Sequence, residues 1–226
     1  MKLAILSLLL ACSPDASAPE RPATPSATNA PAPPSVPLMP SATAAPAATV
    51  AIGQPAPDFS MPALDGSTVK LADHKGKVVV LEWFNPGCPF VKYAHGEGPL
   101  RDLAAQTTQK GVVWLAINSS GPGKEGHGLA ANQEAAKTWS MGHPVLLDES
   151  GEVGKKYGAR TTPHMYVVDP AGNLAYMGAL DNAPLGKTDG PTLTSYVTTA
   201  VDALLASSPV PTSSTKPYGC SVKYGS

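Results

Sequence analysis

Three cysteines stand in this 226-residue chain, and each has a different neighbourhood. Cys88 lies in Trp83-Phe-Asn-Pro-Gly-Cys-Pro-Phe-Val91, directly after the apolar run Lys77-Val-Val-Val-Leu-Glu-Trp-Phe84. That run predicts a buried central strand. Asn85-Pro-Gly breaks it, and Pro89 suits the first position of a helix, where a missing N–H costs nothing. A thiol at this junction meets unpaired backbone N–H groups and the positive end of a helix dipole, both of which favour the thiolate. Lys92, one turn on, adds positive charge if it faces the sulfur. The competing reading is a small core cysteine, which the flanking prolines and glycine would bury poorly. A second motif, Thr161-Thr-Pro-His-Met165, precedes another apolar strand. Its proline is either a plain strand-entry residue or a cis peptide in a tight turn.

The elements that must hold these groups can be read from the pattern. Asp65-Gly66 predicts a hairpin between short extended pieces on either side. A helix is expected from Cys88, interrupted by Gly96, Gly98 and Pro99 and resumed to about Gln109. Val112–Ile117 predicts a second buried strand and Asn118–Gly128 a loop. A helix follows from Leu129 to Met141, then a strand at Val145–Leu147 and a short helix from Glu152 to Tyr157 closed by Gly158. Met165–Asp169 and Leu174–Met177 flank a turn at Pro170–Asn173, predicting a second hairpin. Thr192–Ala206 carries Tyr196, Val197, Ala200, Val201 and Leu204 on one face of a last helix. Strands alternating with helices, then a hairpin, predict an α/β sandwich of three layers around a central mixed sheet.

Taken together, the strand–cysteine–helix unit and the later Thr-Thr-Pro before strand–turn–strand resemble the thioredoxin superfold. Val80-Leu-Glu-Trp-Phe-Asn-Pro-Gly-Cys-Pro-Phe-Val91, Trp114-Leu-Ala-Ile-Asn-Ser-Ser120, Thr161-Thr-Pro-His-Met165 and the terminal Tyr218-Gly-Cys-Ser-Val-Lys-Tyr224 are similar to the redoxin branch, the alkyl hydroperoxide reductase/thiol-specific antioxidant family. The resemblance runs from about Ile52 to Tyr224. It implies that Cys88 is the attacking thiol and Pro163 the cis-proline beside it. It also implies peroxide as the favoured substrate, with thiol–disulfide exchange as the alternative. Where peroxiredoxins carry threonine, this chain has Asn85, whose amide is suited to donating to a peroxide oxygen or the thiolate. Thr162, Phe90 and His164 are expected to border the substrate; a plain surface histidine is the alternative for His164. Val91 takes the place of the second cysteine of a Cys-x-x-Cys motif, so Cys220 is the expected resolving thiol. It lies in Lys216-Pro-Tyr-Gly-Cys-Ser-Val-Lys223, read as a flexible tail able to swing to Cys88. A static structural disulfide on a non-catalytic binding module is the other reading of the pair. An external thiol reductant would reopen the bond. Glu82 is read either as a buried proton relay or as an outward edge carboxylate. Asn118-Ser-Ser120 and Asp181-Asn182 are expected near the same sheet edge.

Composition limits the remaining functions. Lys and Arg number 16 against 17 Asp and Glu, with no basic stripe, which argues against nucleic acid as a partner. His74, His95, His127, His143 and His164 are scattered, so no metal and no cofactor is expected. Of 25 prolines, ten fall between Ser13 and Val50 among Ala, Ser and Thr. That stretch lacks the apolar surface to offset its ordering entropy and predicts a disordered linker over residues 12–50. Ahead of it, Lys2 and the apolar Leu3–Ala11 form a segment far shorter than the ~30 Å hydrocarbon core as a helix. It reads as an export signal over residues 1–11. Leu9-Leu10-Ala11-Cys12 resembles the bacterial lipobox, which implies lipid on Cys12 and a membrane anchor in the cell envelope; the alternative is an ordinary signal peptide. Residues 51–226 remain as the redoxin domain.

Overall fold

The computed structural model describes residues 50–225. The expected signal, Cys12 and nearly all of the expected linker lie outside them. The described chain opens with a hairpin, β1 (Ser60–Pro62) and β2 (Thr68–Lys70), turned at Asp65-Gly66. Gly66 takes φ +83°, and the Asp65 carboxylate accepts from the Ser67 N–H and hydroxyl. Next come β3 (Val79–Trp83), α1 (Pro89–Gly96), α2 (Leu100–Gln109), β4 (Val113–Asn118), α3 (Leu129–Thr138), β5 (Val145–Leu147) and α4 (Glu152–Tyr157). The last part comprises β6 (Thr161–Thr162), β7 (His164–Val168), β8 (Leu174–Gly178), α5 (Tyr196–Leu205) and β9 (Cys220–Ser221).

One five-stranded sheet, in the order β5-β4-β3-β7-β8, organises the core. β3 is central, parallel to β4 and antiparallel to β7. Every residue of β3 is buried, and its alternation divides the interior. Val79, Leu81 and Trp83 face the β1–β2 hairpin and Val153 and Tyr157 of α4. Val78 and Val80 face Ala94 of α1, Leu103 and Ala104 of α2, and Val197, Ala200 and Val201 of α5. Phe84 continues that face towards Cys88, Val91 and Ala135. The result is the thioredoxin-like three-layer sandwich with a central mixed sheet.

Three expectations are corrected. The last helix begins at Tyr196 rather than Thr192, because the preceding residues bond to the 181–182 loop. Asn182 Nδ2 donates to Thr192 O, the Thr194 N–H donates to Asn182 Oδ1, and Ser195 bridges to Asp181. α3 stops at Thr138, short of Met141, with Ser140 turned to φ 50°. The C-terminal segment, expected to be a flexible tail, is tied down at two places along its length. Ser214 bridges to Met177 of β8, and β9 pairs antiparallel with β6 through Thr162↔Cys220 and Thr161↔Ser221.

Glu82 resolves the two sequence readings in favour of burial. It sits on the central strand, 0% exposed, opposite Ala116 and Met165. Its carboxylate lies 2.7 Å from His95 Nε2 and accepts from Trp114 Nε1 at 3.1 Å. Burial opposes ionisation of Glu82, but the charge and hydrogen bond of His95 outweigh it and hold the carboxyl below its ordinary pKa. His95 in turn stacks on Trp139, with centroids 5.2 Å apart. Removing one partner of a buried pair strands the other. His95→Leu should therefore cost about 3–5 kcal/mol in urea unfolding, and adding Glu82→Leu should restore most of it. A double variant as unstable as the single one would show that the pair is not the source of the loss.

Candidate active site

Cys88 occupies the N-cap position of α1, with Pro89 next to it. The strand-to-helix turn is fixed by Asn85, whose Oδ1 accepts from the Gly87 N–H at 2.7 Å. The two hydrogens of Asn85 Nδ2 go to Ser120 Oγ at 3.1 Å and Glu125 O at 3.0 Å. The amide is thus fully committed to holding the turn and the 120–126 loop together. This corrects the expectation that it donates to a peroxide or to the sulfur. A Cβ at Gly87 would meet only the end of the exposed Glu125 side chain, which can move aside.

The Cys88 sulfur is buried against Phe84, Val91 and Ala116. Its thiol donates to Thr162 O at 3.0 Å, and its Sγ lies 2.8 Å from Cys220 Sγ. Thr162 precedes Pro163, and the peptide bond between them is cis. Thr162 Oγ1 is buried with no hydrogen-bond partner among the described residues. Both cysteines are free thiols. Burial pushes the Cys88 pKa up, but hydrogen bonds, that of Cys220 foremost and that of the Val91 backbone with it, outweigh it and bring the thiol below its ordinary value. Lys92 is exposed and is not among the groups that shift it. Cys220 moves the other way, pushed up to about 11 by burial, by its hydrogen bond to Cys88 and by the Cys88 charge. The pair is polarised, with the negative charge favoured on Cys88 and the proton on Cys220.

The C-terminal segment forms the roof of this site. The Val222 N–H donates to Arg160 O, extending the β6–β9 ladder, and the Gly121 N–H donates to Lys223 O. Tyr218 lays its ring near Phe90, with centroids 5.9 Å apart, and its hydroxyl donates to Asp181 Oδ1 at 2.6 Å. The Tyr224 hydroxyl donates to Ala159 O at 2.8 Å. Phe90 packs against the cluster that holds Cys88 and lies under this roof. His164 is turned into the interior rather than lying at the surface. It is 6% exposed, and its Nδ1 accepts from the Arg160 N–H and lies 3.1 Å from the Tyr166 hydroxyl. Burial and the Arg160 charge lower its pKa to about 4, so the ring is neutral. Ser120 joins the site through Asn85, and Asp181 joins through Tyr218. Tyr218 and Tyr224 were not foreseen as site residues. Their signal was two aromatics flanking a cysteine in a Ser/Pro/Thr-rich stretch.

The comparison with known proteins follows the same outline. The model of the AhpC/TSA family matches residues 52–177, which is 126 of 226 residues. The chain belongs to the AhpC/TSA family. The match includes Cys88 and Pro163 and ends 43 residues before Cys220. A thiol-disulfide oxidoreductase ResA of Bacillus thuringiensis subsp. konkukian is 29% identical over 124 residues, 54% of this chain and 66% of that one. This chain therefore spans just under two-thirds of the length of that relative. A protein of Coxiella burnetii named as a peroxiredoxin, bcp, is 31% identical over 114 residues, 49% of this chain and 68% of its own. Among solved structures, an uncharacterized protein from Geobacillus kaustophilus superposes with a TM-score of 0.70 at 33% identity, covering 79% of this chain and 94% of that one. A hypothetical protein from Sinorhizobium meliloti gives the same TM-score at 29% identity, covering 79% and 97%.

The polarised pair makes a pH prediction. In the Cys220→Ala variant the donor to the Cys88 sulfur is gone, so the alkylation midpoint of Cys88 should move to higher pH. Cys220→Ser, which keeps a donor, should move it less. Iodoacetamide rates measured across pH check this, and identical midpoints in all three proteins would remove Cys220 as a cause.

Proposed function

We propose that this chain is a thiol–disulfide oxidoreductase that works through Cys88 and Cys220, with the second thiol supplied by the C-terminal segment instead of the helix. The observation that carries this is the 2.8 Å contact between two sulfurs whose acidities are shifted in opposite directions. The Cys88 thiolate attacks one sulfur of a substrate disulfide and expels the other as a thiolate. Cys220 then attacks Cys88 Sγ, releasing the substrate's remaining cysteine as a thiol and leaving a Cys88–Cys220 disulfide. An external dithiol reopens it. Two of the causes that raise the Cys220 pKa, the hydrogen bond to Cys88 and the Cys88 charge, vanish once Cys88 is in a mixed disulfide. Cys220 thus ionises more readily at that stage, with burial remaining as the cause that holds its pKa up. Thr162 supplies an acceptor to the Cys88 thiol, Pro163 sets the turn that presents it, and Asn85 positions the cysteine without touching substrate. The likeness to ResA proteins supports disulfide exchange.

In a glutathione redox titration followed by mass spectrometry, wild type should pass between dithiol and Cys88–Cys220 disulfide. Cys220→Ser should accumulate a mixed disulfide on Cys88, and Cys88→Ser should accumulate none of either. A Cys88 that forms no mixed disulfide with any disulfide would end this reading. The second reading, peroxide reduction, is favoured by the likeness to bcp. It predicts sulfenic acid on Cys88 in Cys220→Ser after stoichiometric hydrogen peroxide. Disulfide exchange without peroxide consumption decides against it.

The same proposal places the domain outside the cytoplasm, held by lipid on Cys12 and a linker that lifts it from the membrane. Among the described residues, no helix is long and apolar enough to cross a membrane. Cys12→Ala should shift the protein from the membrane fraction to the soluble fraction and abolish labelling by a radioactive fatty acid. Unchanged labelling would exclude Cys12 as the acceptor.

A further inference from the structure

The backbone around Cys220 is held as a docked peptide is held. β9 pairs antiparallel with β6 as the second strand of a two-stranded sheet, giving Cys220 the residue before the cis-proline as its partner. Gly219 fits because its φ is +127° and because a Cβ there would collide with Thr162 O. Two residues before the cysteine, Tyr218 is clasped by Phe90 and Asp181. Four residues after it, Tyr224 enters a second socket. The floor of that socket is glycine: a Cβ on Gly151 would fall 2.6 Å from the ring, and one on Gly154 would fall 2.6 Å from the hydroxyl. Ala159 O takes the hydroxyl, and Lys155 Nζ sits 5.7 Å from the ring centroid. Between the two sockets, Val222 packs against the core face shared by Phe59 and Tyr157.

This is more than a second thiol requires. Delivering a sulfur to Cys88 needs the Thr162↔Cys220 pair, whereas the two aromatic sockets hold side chains before and after the cysteine in the chain. For a substrate sulfur to reach the buried Cys88 sulfur, Cys220 must leave, and the track it leaves is a strand edge with an aromatic socket at each end. The bridge from Ser214 to Met177 and the bond from the Thr215 N–H to Met177 O lie upstream of that track. They can hold the segment while the part after Lys216 swings aside.

We propose that the C-terminal segment occupies its own substrate's place, and that the substrates are extended polypeptides whose reactive cysteine has an aromatic residue two positions before it and another four positions after it. This rests on the disulfide-exchange reading above and goes further by assigning the Tyr218 and Tyr224 sockets as recognition subsites. The covalent steps are those already given, with the substrate cysteine in the position of Cys220.

The test uses full-length reduced protein and the peptide Lys-Pro-Tyr-Gly-Cys-Ser-Val-Lys-Tyr, its cysteine carried as a mixed disulfide with thionitrobenzoate. Attack by Cys88 on the peptide sulfur expels thionitrobenzoate, which is read by absorbance. A control peptide has serine at both tyrosine positions, and dithiobis(nitrobenzoate), with the adduct located on Cys88 by mass spectrometry, reports Cys88 reactivity without any peptide. The tyrosine peptide should react about tenfold faster than the serine peptide at limiting concentration, as expected for two aromatic anchors. Tyr224→Ala, which vacates a socket, should widen that preference, and Gly154→Val, which fills it, should narrow it. Equal rates for the two peptides, with dithiobis(nitrobenzoate) still consumed at Cys88, would overturn the subsites and leave disulfide exchange standing. If Gly154→Val does not fold, an unchanged preference in Tyr224→Ala has the same force against the Tyr224 socket. No thionitrobenzoate release from any of the three reagents, with Cys88 still open to alkylation, would overturn disulfide exchange itself.

Discussion

The pairing of Thr161–Thr162 with Cys220–Ser221 is the shortest strand pairing among the described residues, and the chemistry of the site depends on it. Without it, Cys88 would be a thiol at a helix N-cap with the Thr162 carbonyl as acceptor and no second sulfur. With it, Cys220 reaches the Cys88 sulfur from the far end of the chain, and one thiol is acidified while the other is made more basic. The ladder is weak by itself, since two residue pairs cannot offset the entropy of ordering a dozen residues. Tyr218, Val222 and Tyr224 supply the burial, and the ladder supplies the register.

Register is what the rest of the fold protects. β3 and β7 are neighbours with Trp83 opposite His164, so the cysteine turn and the proline turn leave adjacent strands at the same end of the sheet. Asn85 secures the first turn to the loop beyond β4. His164 secures the second by accepting from Arg160, four residues back. Both side chains look like chemistry in the sequence and act as braces in the structure. The Glu82 carboxylate is a buried charge on the central strand, held ionised by its hydrogen-bond partners, with Phe84 between it and the sulfur in the chain.

Most of the architecture was legible in the sequence because it is written in long periodic runs and punctuation. The buried β3 run, Pro89 at the helix start, Asp65-Gly66 and the Gly158 helix stop were all readable without coordinates. Pro163 was legible as a turn residue, and Cys88 as a thiol at a helix start. The β6–β9 pair was not, because two residues carry no periodicity and their partner lies about sixty positions away. Asn85 was misread for a related reason. Its donors go to Ser120 and Glu125, and a side chain's partners 35 to 40 residues distant leave no local trace. The tail's Ser, Pro and Thr content suggested freedom, while the order comes from a few large side chains spaced along it.

One consequence follows from the distance between the two cysteines. A Cys-x-x-Cys bond closes a loop of a few residues and hardly constrains an unfolded chain. A bond between Cys88 and Cys220 closes a loop across 132 positions, which in the chain-entropy picture removes about 5 kcal/mol of unfolded-state freedom. Oxidation would then staple the C-terminus across the domain, so the oxidised form resists unfolding far more than the reduced one. Folding and redox state become a single linked equilibrium: whatever opens the bond also loosens the protein, and whatever unfolds the protein makes the bond easier to open.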